Sequence, residues 1–521
     1  MNTPAPRQGN AVDHFLDRHV REGRADRPAF TDAARHLTYG ALHAESHRFA
    51  SALARAGIGR ERRICLLLLD SVEFPVAFWG ALRAGVVPVP VNTLLPAAIV
   101  AHILADSRAE AVFISAPLFA PLASVFAATP SLRHVIVAGA PADLPAGTRS
   151  LDAFLAGGAA EAETVQAPDD EVAAWFYSSG STGQPKGVRH VHGSFRATAD
   201  TYAAQVLGIR SDDVVFSVAK LFFSYGFGNA VTFPMSVGAA TVLLGERPTP
   251  ASVLHIMQAH RPTIFCGVPT LYAALLAQPG FGKPMVSDRL RRCVSAGEPL
   301  PAQIGRQWRE RTGVDILDGI GSTEMLHIFL SNRPDDLRYG TTGRAVPGYR
   351  LRIVDGEGRD VADDEPGELI VSGPSAADGY WNQRDKSRRT FRGEWTHTGD
   401  VYRRDADGYY HYSGRNDDMM KVSGIWVSPF EVEDALIAHP AVLEAAVVGH
   451  ADPEGLIKPR AFVVLRPDAA ATDPDALREA LKQHVKTRIG PWKYPRWIEF
   501  TDSLPKTATG KIQRFRLRDP A

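Results

Sequence analysis

The sequence predicts an α/β protein of more than one domain. Two observations carry this: short apolar runs alternate with helix-length segments through roughly two thirds of the chain, and 521 residues exceed what one hydrophobic core usually organises. Arg63–Leu69 reads as a buried strand, Val72–Arg83 as the helix after it, and Val86–Val91 as the next strand. Ala111–Ser115, His134–Ala138, Val172–Tyr177, Ala240–Leu244, Thr263–Cys266 and Val314–Leu317 continue the strand series, with helices such as Pro250–His260 and Ala302–Thr312 between them. Such alternation implies largely parallel sheets, whose ligands gather beyond the carboxyl ends of the strands.

From about Gly340 the texture changes. Leu351–Val354, Glu368–Val371 and Tyr409–Tyr412 are short strands set between Gly, Asp and Pro turns, which predicts a smaller β-rich subdomain. A last unit starts near Asp417, with helices over Ser428–His439 and Asp475–Arg488 and strands over Leu443–Val448 and Ala461–Leu465. The expected domains are therefore 1–416 and 417–521, with the boundary inside Gly414–Asp418. Gly157–Val165 is Ala/Glu-rich and reads as a surface linker.

Composition narrows the function classes. Lys+Arg and Asp+Glu are both 58, so no global field draws the chain to nucleic acid or an anionic membrane, and no basic stripe with interleaved aromatics stands out. Any phosphate ligand must be held locally. Cys65, Cys266 and Cys293 are widely spaced, which reads as buried, reduced thiols of a cytosolic protein. Met1–Asn10 lacks the basic-then-apolar pattern of a signal peptide, and Ile64–Leu69 is far short of the ~20 residues that span a bilayer. The expectation is a cytoplasmic protein, monomeric or homodimeric, without nucleic-acid or membrane partners.

The strongest single signal is Tyr177-Ser-Ser-Gly-Ser-Thr-Gly-Gln-Pro-Lys186-Gly187, directly after an apolar strand. Gly180, Gly183 and Gly187 allow close backbone approach. Ser178, Ser179, Ser181 and Thr182 offer hydroxyls, and Lys186 a point charge, so the loop suits a polyphosphate. It is not a Walker motif. A bare Ser/Gly stretch would read as a surface turn; the terminal Pro-Lys-Gly argues otherwise.

This loop resembles the phosphate-binding signature of the adenylate-forming superfamily, which holds acyl- and aryl-CoA synthetases, peptide-synthetase adenylation domains and luciferases. Further segments match in the family's order: Ser295-Ala-Gly-Glu-Pro-Leu-Pro301, Asp318-Gly-Ile-Gly-Ser-Thr-Glu324, Thr398-Gly-Asp400, Gly414-Arg-Asn-Asp-Asp418 with Lys421, and Pro505-Lys-Thr-Ala-Thr-Gly-Lys511. The resemblance implies a large N-terminal domain of layered α/β subdomains with a small β-barrel-like subdomain, then a small mobile α+β domain. It also implies ATP, Mg2+ and coenzyme A. Gly297, Glu298 and Asp318-Gly319-Ile320 would line the adenine pocket, and Thr323 would bond the α-phosphate. Glu324 would face Mg2+, Asp400 would take the ribose hydroxyls, and Arg415 would reach the ribose and phosphates. Lys511 would be the catalytic lysine that brings carboxylate and α-phosphorus together. Asp417 would be the hinge, with Lys421, Gly424 and Trp426 along a thiol tunnel that a missing side chain keeps open.

Within the superfamily, Lys220–Asn229, Gly319–Asn332 and Lys421–Pro429 are most similar to benzoate- and hydroxybenzoate-CoA ligases. By that match Ser224, Tyr225, Gly321, His327 and Ile328 would wall an aryl pocket. Benzoate ligases carry alanine where this chain has Ser224 and leucine where it has Phe227. A hydroxyl at 224 could bond a ring hydroxyl or amino group, or bond backbone and leave benzoate preferred. Taken alone, His327 reads more readily as a packed structural histidine. The alternatives are an enzyme that loads the aryl acid onto a carrier-protein thiol, and a non-catalytic aryl-acid or nucleotide sensor. The presence of Lys186, Glu324 and Lys511 argues against the sensor.

Overall fold

In the computed structural model, residues 9–140, 144–178, 184–415, 418–422, 425–453, 456–467, 473–490, 493–506 and 512–518 are described. A nine-stranded sheet forms the centre of the fold. From one edge its strands are Arg344–Ala345, Ile328–Ser331, Ile316–Gly321, Arg292–Ser295, Ile264–Gly267, Val214–Ser217, Ala240–Val242, Pro28–Thr31 and His36–Thr38. The strands from Ile316–Gly321 to Pro28–Thr31 are mutually parallel, and antiparallel partners close both sides. A second sheet, Val87–Pro90, Arg63–Leu67, Ala111–Ser115, His134–Ala138 and Thr148–Ser150, is parallel throughout.

The two-residue period of a strand explains how both sheets are buried on both faces. Ile264, Cys266, Val215 and Val294 point into a core shared with Ile64, Leu66 and Phe113 of the second sheet. Their neighbours Phe265, Phe216 and Cys293 point the other way, onto Trp308 and Tyr272. Cys65, Leu67, Val112 and Ile114 line the outer face of the second sheet. The helices Tyr39–Arg55 and Glu73–Arg83 contribute Phe49, Phe74, Phe78 and Trp79 to the shared core. Thr38 caps the first of these helices by accepting from the N–H of Ala41 at 3.1 Å.

The strand series expected from Arg63 onward is present, with ends shifted by a few residues. Two earlier elements join it. Pro28–Thr31 pairs with Ala240–Val242, a contact that no local pattern announces, and Tyr39–Arg55 is the long helix that follows. The linker over 157–165 is mostly exposed, and it is tied down at its end where Val165 donates to the carbonyl of Arg83 at 2.9 Å. All three cysteines are buried and free.

The β-rich subdomain is an antiparallel sheet built on Arg350–Val354, Gly367–Ser372, Trp395–Arg404 and Tyr410–Arg415. A three-stranded antiparallel sheet, Val172–Ser178, Lys186–Val191 and Gly379–Tyr380, lies between it and the parallel layers. From Met420 onward the chain has its own core, in which Val432, Leu436, Val447, Val463, Leu481 and Val485 pack helices Pro429–Ile437 and Pro474–Ile489 on strands Val442–Ala451 and Ile457–Leu465. The boundary expected between 416 and 417 and the hinge Asp417 lie outside the described residues. Among the described residues no helix is long and apolar enough to cross a membrane.

Candidate active site

The site lies beyond the carboxyl end of the strand Ile316–Gly321, where the chain reverses into Ile328–Ser331. The reversal is tight. Ser322 caps a short turn over Thr323–Met325 by accepting from the N–H of Met325 at 3.2 Å. His327 N–H then reaches back to the carbonyl of Met325 at 2.7 Å across Leu326, whose φ is 63° and ψ −39°. An i to i+2 bond with positive φ at a leucine is a strained γ-turn, a conformation that a buried site holds only when its surroundings enforce it.

The surroundings are visible. The Thr323 carbonyl lies 2.7 Å from Nε2 of buried His190. The Glu324 carbonyl accepts from Ala377 N–H at 2.8 Å, and that of Met325 from the Ser375 hydroxyl at 2.7 Å. Close approach of the two strands also accounts for the glycines. A Cβ at Gly319 would come within 2.9 Å of the Ile328 side chain, and one at Gly321 within 2.5 Å of the His327 carbonyl oxygen.

Thr323 and Glu324 sit on one rim of this reversal. Glu324 Oε1 is 3.2 Å from Lys186 Nζ. Between them stands Tyr380, whose hydroxyl accepts from Lys186 at 2.8 Å and donates to Glu324 at 2.8 Å, while its ring lies 3.9 Å below the ammonium. Burial alone would push the Glu324 carboxyl up. Lys186 and the Tyr380 hydroxyl outweigh it and hold the carboxyl below its ordinary range, so Glu324 is ionised at neutral pH. Lys186 opens the strand paired with Ser178, which places it at the foot of the glycine- and serine-rich loop. Ser179, Gly180, Ser181, Thr182 and Gly183 of that loop lie outside the described residues.

A second group stands across the β-rich subdomain. Asp400 and Arg415 face each other as strand partners, and the guanidinium donates to Asp400 Oδ1 and to the Thr398 carbonyl, each at 3.0 Å. Asp318 presents its main chain to the neighbouring strand, its carbonyl accepting from Asn332 N–H at 2.9 Å. The residue is 6% exposed, and its carboxylate Oδ1 has no hydrogen-bond partner among the described residues. Gly297 takes a φ of 96°, and Glu298 beside it accepts from the N–H of Ile512 at 2.7 Å. That bond brings the C-terminal unit against this wall. Lys511 itself lies outside the described residues, as does Gly424, and the side chains of Lys421 and Trp426 are likewise not described.

Of the residues expected to wall an aryl pocket, Tyr225 and His327 pack against each other beside this reversal. Tyr225 donates its hydroxyl to the Gly267 carbonyl at 3.1 Å, which ties its polar end to the central sheet. His327 is 3% exposed, with Nε2 at 3.2 Å from the Tyr225 carbonyl and its ring centroid 4.4 Å from Phe233 and 5.5 Å from Tyr225. Burial brings its pKa down to about 3, so it is a neutral, packed wall. Gly228 admits that ring, since a Cβ there would stand 2.3 Å from His327 Cδ2. Ile328 is buried beside it. Ser224 opens the short helix Ser224–Phe227 at a half-buried position. Phe227, by contrast, points into the core, with its ring 4.5 Å from Phe78 and 5.3 Å from Phe176.

Sequence reasoning missed Tyr380, His190 and Ser375. Tyr380 is 194 residues from Lys186, and no spacing rule links them.

A cation held against an ionised carboxylate just beyond the carboxyl end of a parallel strand fits a nucleotide-binding α/β enzyme. The sequence profile for AMP-binding enzymes matches residues 16–381, and that for the C-terminal domain of AMP-binding enzymes matches 431–511. The chain belongs to the AMP-binding enzyme family. It is 54% identical to a 4-hydroxybenzoate–CoA/benzoate–CoA ligase of Rhodopseudomonas palustris, over 98% of this chain and 94% of that one. Among solved structures it is similar to a benzoate CoA ligase from Burkholderia xenovorans LB400 (48% identity, TM-score 0.90, 98% and 100% of the two chains). It is also similar to an anthranilate CoA ligase in complex with anthranoyl-AMP (42% identity, TM-score 0.94, 98% and 97%).

Proposed function

We propose that the protein is an ATP-dependent aryl-CoA ligase that converts benzoate, or a hydroxy- or aminobenzoate, to its CoA thioester through an enzyme-bound aryl-adenylate. The observation that carries the reading is the juxtaposition, across one strand reversal, of the Lys186–Tyr380–Glu324 cluster with the flat wall of Tyr225 and His327. The relatives named above act on benzoate, 4-hydroxybenzoate and anthranilate, which supports an aryl acid.

In the first half-reaction a carboxylate oxygen of the acid bonds the α-phosphorus of ATP, and the bond to pyrophosphate breaks. Lys186, held by Tyr380, meets the phosphate charge. Thr323 bonds the α-phosphate, and Ser178 with the loop after it cradles the rest. Gly297, Glu298 and Asp318–Ile320 receive the adenine, and Asp400 with Arg415 the ribose. Lys511 bridges the two anions and stabilises charge as it develops. Glu324 is an ionised oxygen donor beside the phosphate position, which fits Mg2+, an ion usually held by one or two carboxylates plus substrate phosphates. When bound, that ion spreads the charge of the phosphate oxygens.

In the second half-reaction the CoA sulfur, losing its proton, bonds the acyl carbon and AMP leaves. Lys511 must withdraw so that pantetheine can enter past Lys421, Gly424 and Trp426, by rotation of 417–521 about Asp417. We place the reaction in the cytoplasm, in a monomer or homodimer.

The test is AMP release with CoA and a panel of benzoate, its hydroxy and amino isomers, and a medium-chain fatty acid. An aryl acid should give the highest kcat/KM; preference for the fatty acid, or ADP as product, would overturn the proposal. Lys511→Ala should nearly abolish adenylation yet spare thioester formation from supplied aryl-adenylate.

A further inference from the structure

Outside the residues assigned to the nucleotide site, three side chains from two segments bring ligand atoms together. His43 and His47 lie one turn apart on the helix Tyr39–Arg55, so both rings project from the same face. Their Nε2 atoms are 3.2 Å apart. Asp17, at the end of the N-terminal helical turn Asp13–Asp17, places Oδ1 3.4 Å from His43 Nε2. The three ligand atoms all lie within 4.8 Å of one another. Four ligands arranged tetrahedrally at zinc–nitrogen distances of about 2.0–2.1 Å are themselves roughly 3.4 Å apart. The observed separations are therefore those of a preformed half-shell, wider on its open side.

The supporting groups match this use. His47 Nδ1 lies 3.0 Å from both the carbonyl oxygen and the main-chain nitrogen of Ala162, which fixes the orientation of the ring and aims Nε2 at His43. Asp17 is positioned by Arg83, which is 1% exposed and bonds both carboxylate oxygens, at 2.5 and 3.1 Å. A carboxylate has about four lone-pair directions, so Oδ1 retains one toward His43. Arg83 would repel a cation, but Glu161, beside Ala162 on the linker, acts on His43 as a second negative charge. The site opens on one side, where the His43 side chain is 29% exposed, leaving room for water or Glu161.

We infer that Asp17, His43 and His47 form a binding site for a zinc-type divalent cation, which clips the N-terminal segment, the helix Tyr39–Arg55 and the linker over 157–165 together. A two-imidazole, one-carboxylate set selects such an ion over Mg2+. The role is structural, since none of these residues belongs to the nucleotide or aryl site.

The test uses the full, untagged chain, stripped with a chelator and kept in Mg2+. Zn2+ is titrated in competition with a chromophoric chelator, and Co2+ is used to read coordination from its visible bands. The expected result is one saturable Zn2+ per chain, intense tetrahedral Co2+ bands, and a higher Tm with metal. His43→Ala and His47→Ala should each weaken Zn2+ binding by more than the roughly tenfold that losing even an outer-shell partner costs. Aryl-CoA synthesis should persist in both. If a variant fails to fold, His43→Gln and the wild-type Co2+ spectrum decide. Absence of saturable Zn2+ binding, Co2+ bands of octahedral type only, or full binding in both single variants would overturn the inference.

Discussion

At the scale of single residues, the centre of the site is a hydrogen-bonded relay and not a simple ion pair. Tyr380 both accepts from Lys186 and donates to Glu324, so removing its hydroxyl leaves two charged groups with one partner fewer. Hydrogen bonds to charged groups contribute about 1.5–3 kcal/mol. Tyr380→Phe should therefore slow the first half-reaction by roughly 10- to 100-fold, read as aryl-acid-dependent pyrophosphate exchange. Unchanged exchange would show that Lys186 and Glu324 hold their places unaided. The two departures from the benzoate-ligase pattern separate at this scale as well. Phe227 is core, whereas Ser224 stands half-buried at the start of its helix. Ser224→Ala should shift the ratio of kcat/KM between substituted and plain benzoates, and Phe227→Leu should lower stability while leaving that ratio unchanged. A shifted ratio in Phe227→Leu would contradict the placement.

At the scale of elements, the reversal between Ile316–Gly321 and Ile328–Ser331 decides where the chemistry sits. Its motif was legible because glycine, serine, threonine and glutamate stand in an ordered run. Its shape was not. The γ-turn at Leu326 is enforced by His190, Ala377 and Ser375, each distant in sequence. Element ends were less legible than element cores for the same reason. Pro28–Thr31 pairs locally with His36–Thr38, but it joins the central sheet through Ala240–Val242, about 210 residues away. The glycine at 228 belongs to this scale too, since the helical segment Gly228–Thr232 passes directly over the His327 ring. Overpacking typically costs about 1–3 kcal/mol. Gly228→Ala should lower Tm and raise KM for the acid, with KM for ATP little changed; equal KM values for the acid in both proteins would mean the ring does not wall the pocket.

At the scale of the whole molecule, burial sets the response to pH. His190 and His192 are brought down to about 4 and His327 to about 3, in each case chiefly by burial. The unfolded chain binds these protons near pH 6.5 while the folded chain refuses them until about 4 or below. Folding stability from these groups is thus complete above pH 6.5 and is lost as pH falls toward 4, on the order of 3 kcal/mol for each buried ring. Tm measured from pH 7.5 down to 4.5 should fall steadily, and His190→Gln should flatten part of the slope. A flat wild-type profile would contradict it. The C-terminal unit touches the nucleotide wall through Ile512 and Glu298, and the ring of Phe430 lies 5.7 Å from Tyr412.

The sequence by itself determined the alternation of strand and helix, the order of the family's motif segments, and the identity of the charged groups, because those signals are local: they rest on period, turn chemistry and runs of contiguous residues. Only the tertiary structure decided that Tyr380 stands between Lys186 and Glu324, that Phe227 is core while the Tyr225 ring packs beside His327, and that Asp17 meets two histidines. These are contacts between segments far apart along the chain, and they are chosen by packing, which no single stretch of sequence contains.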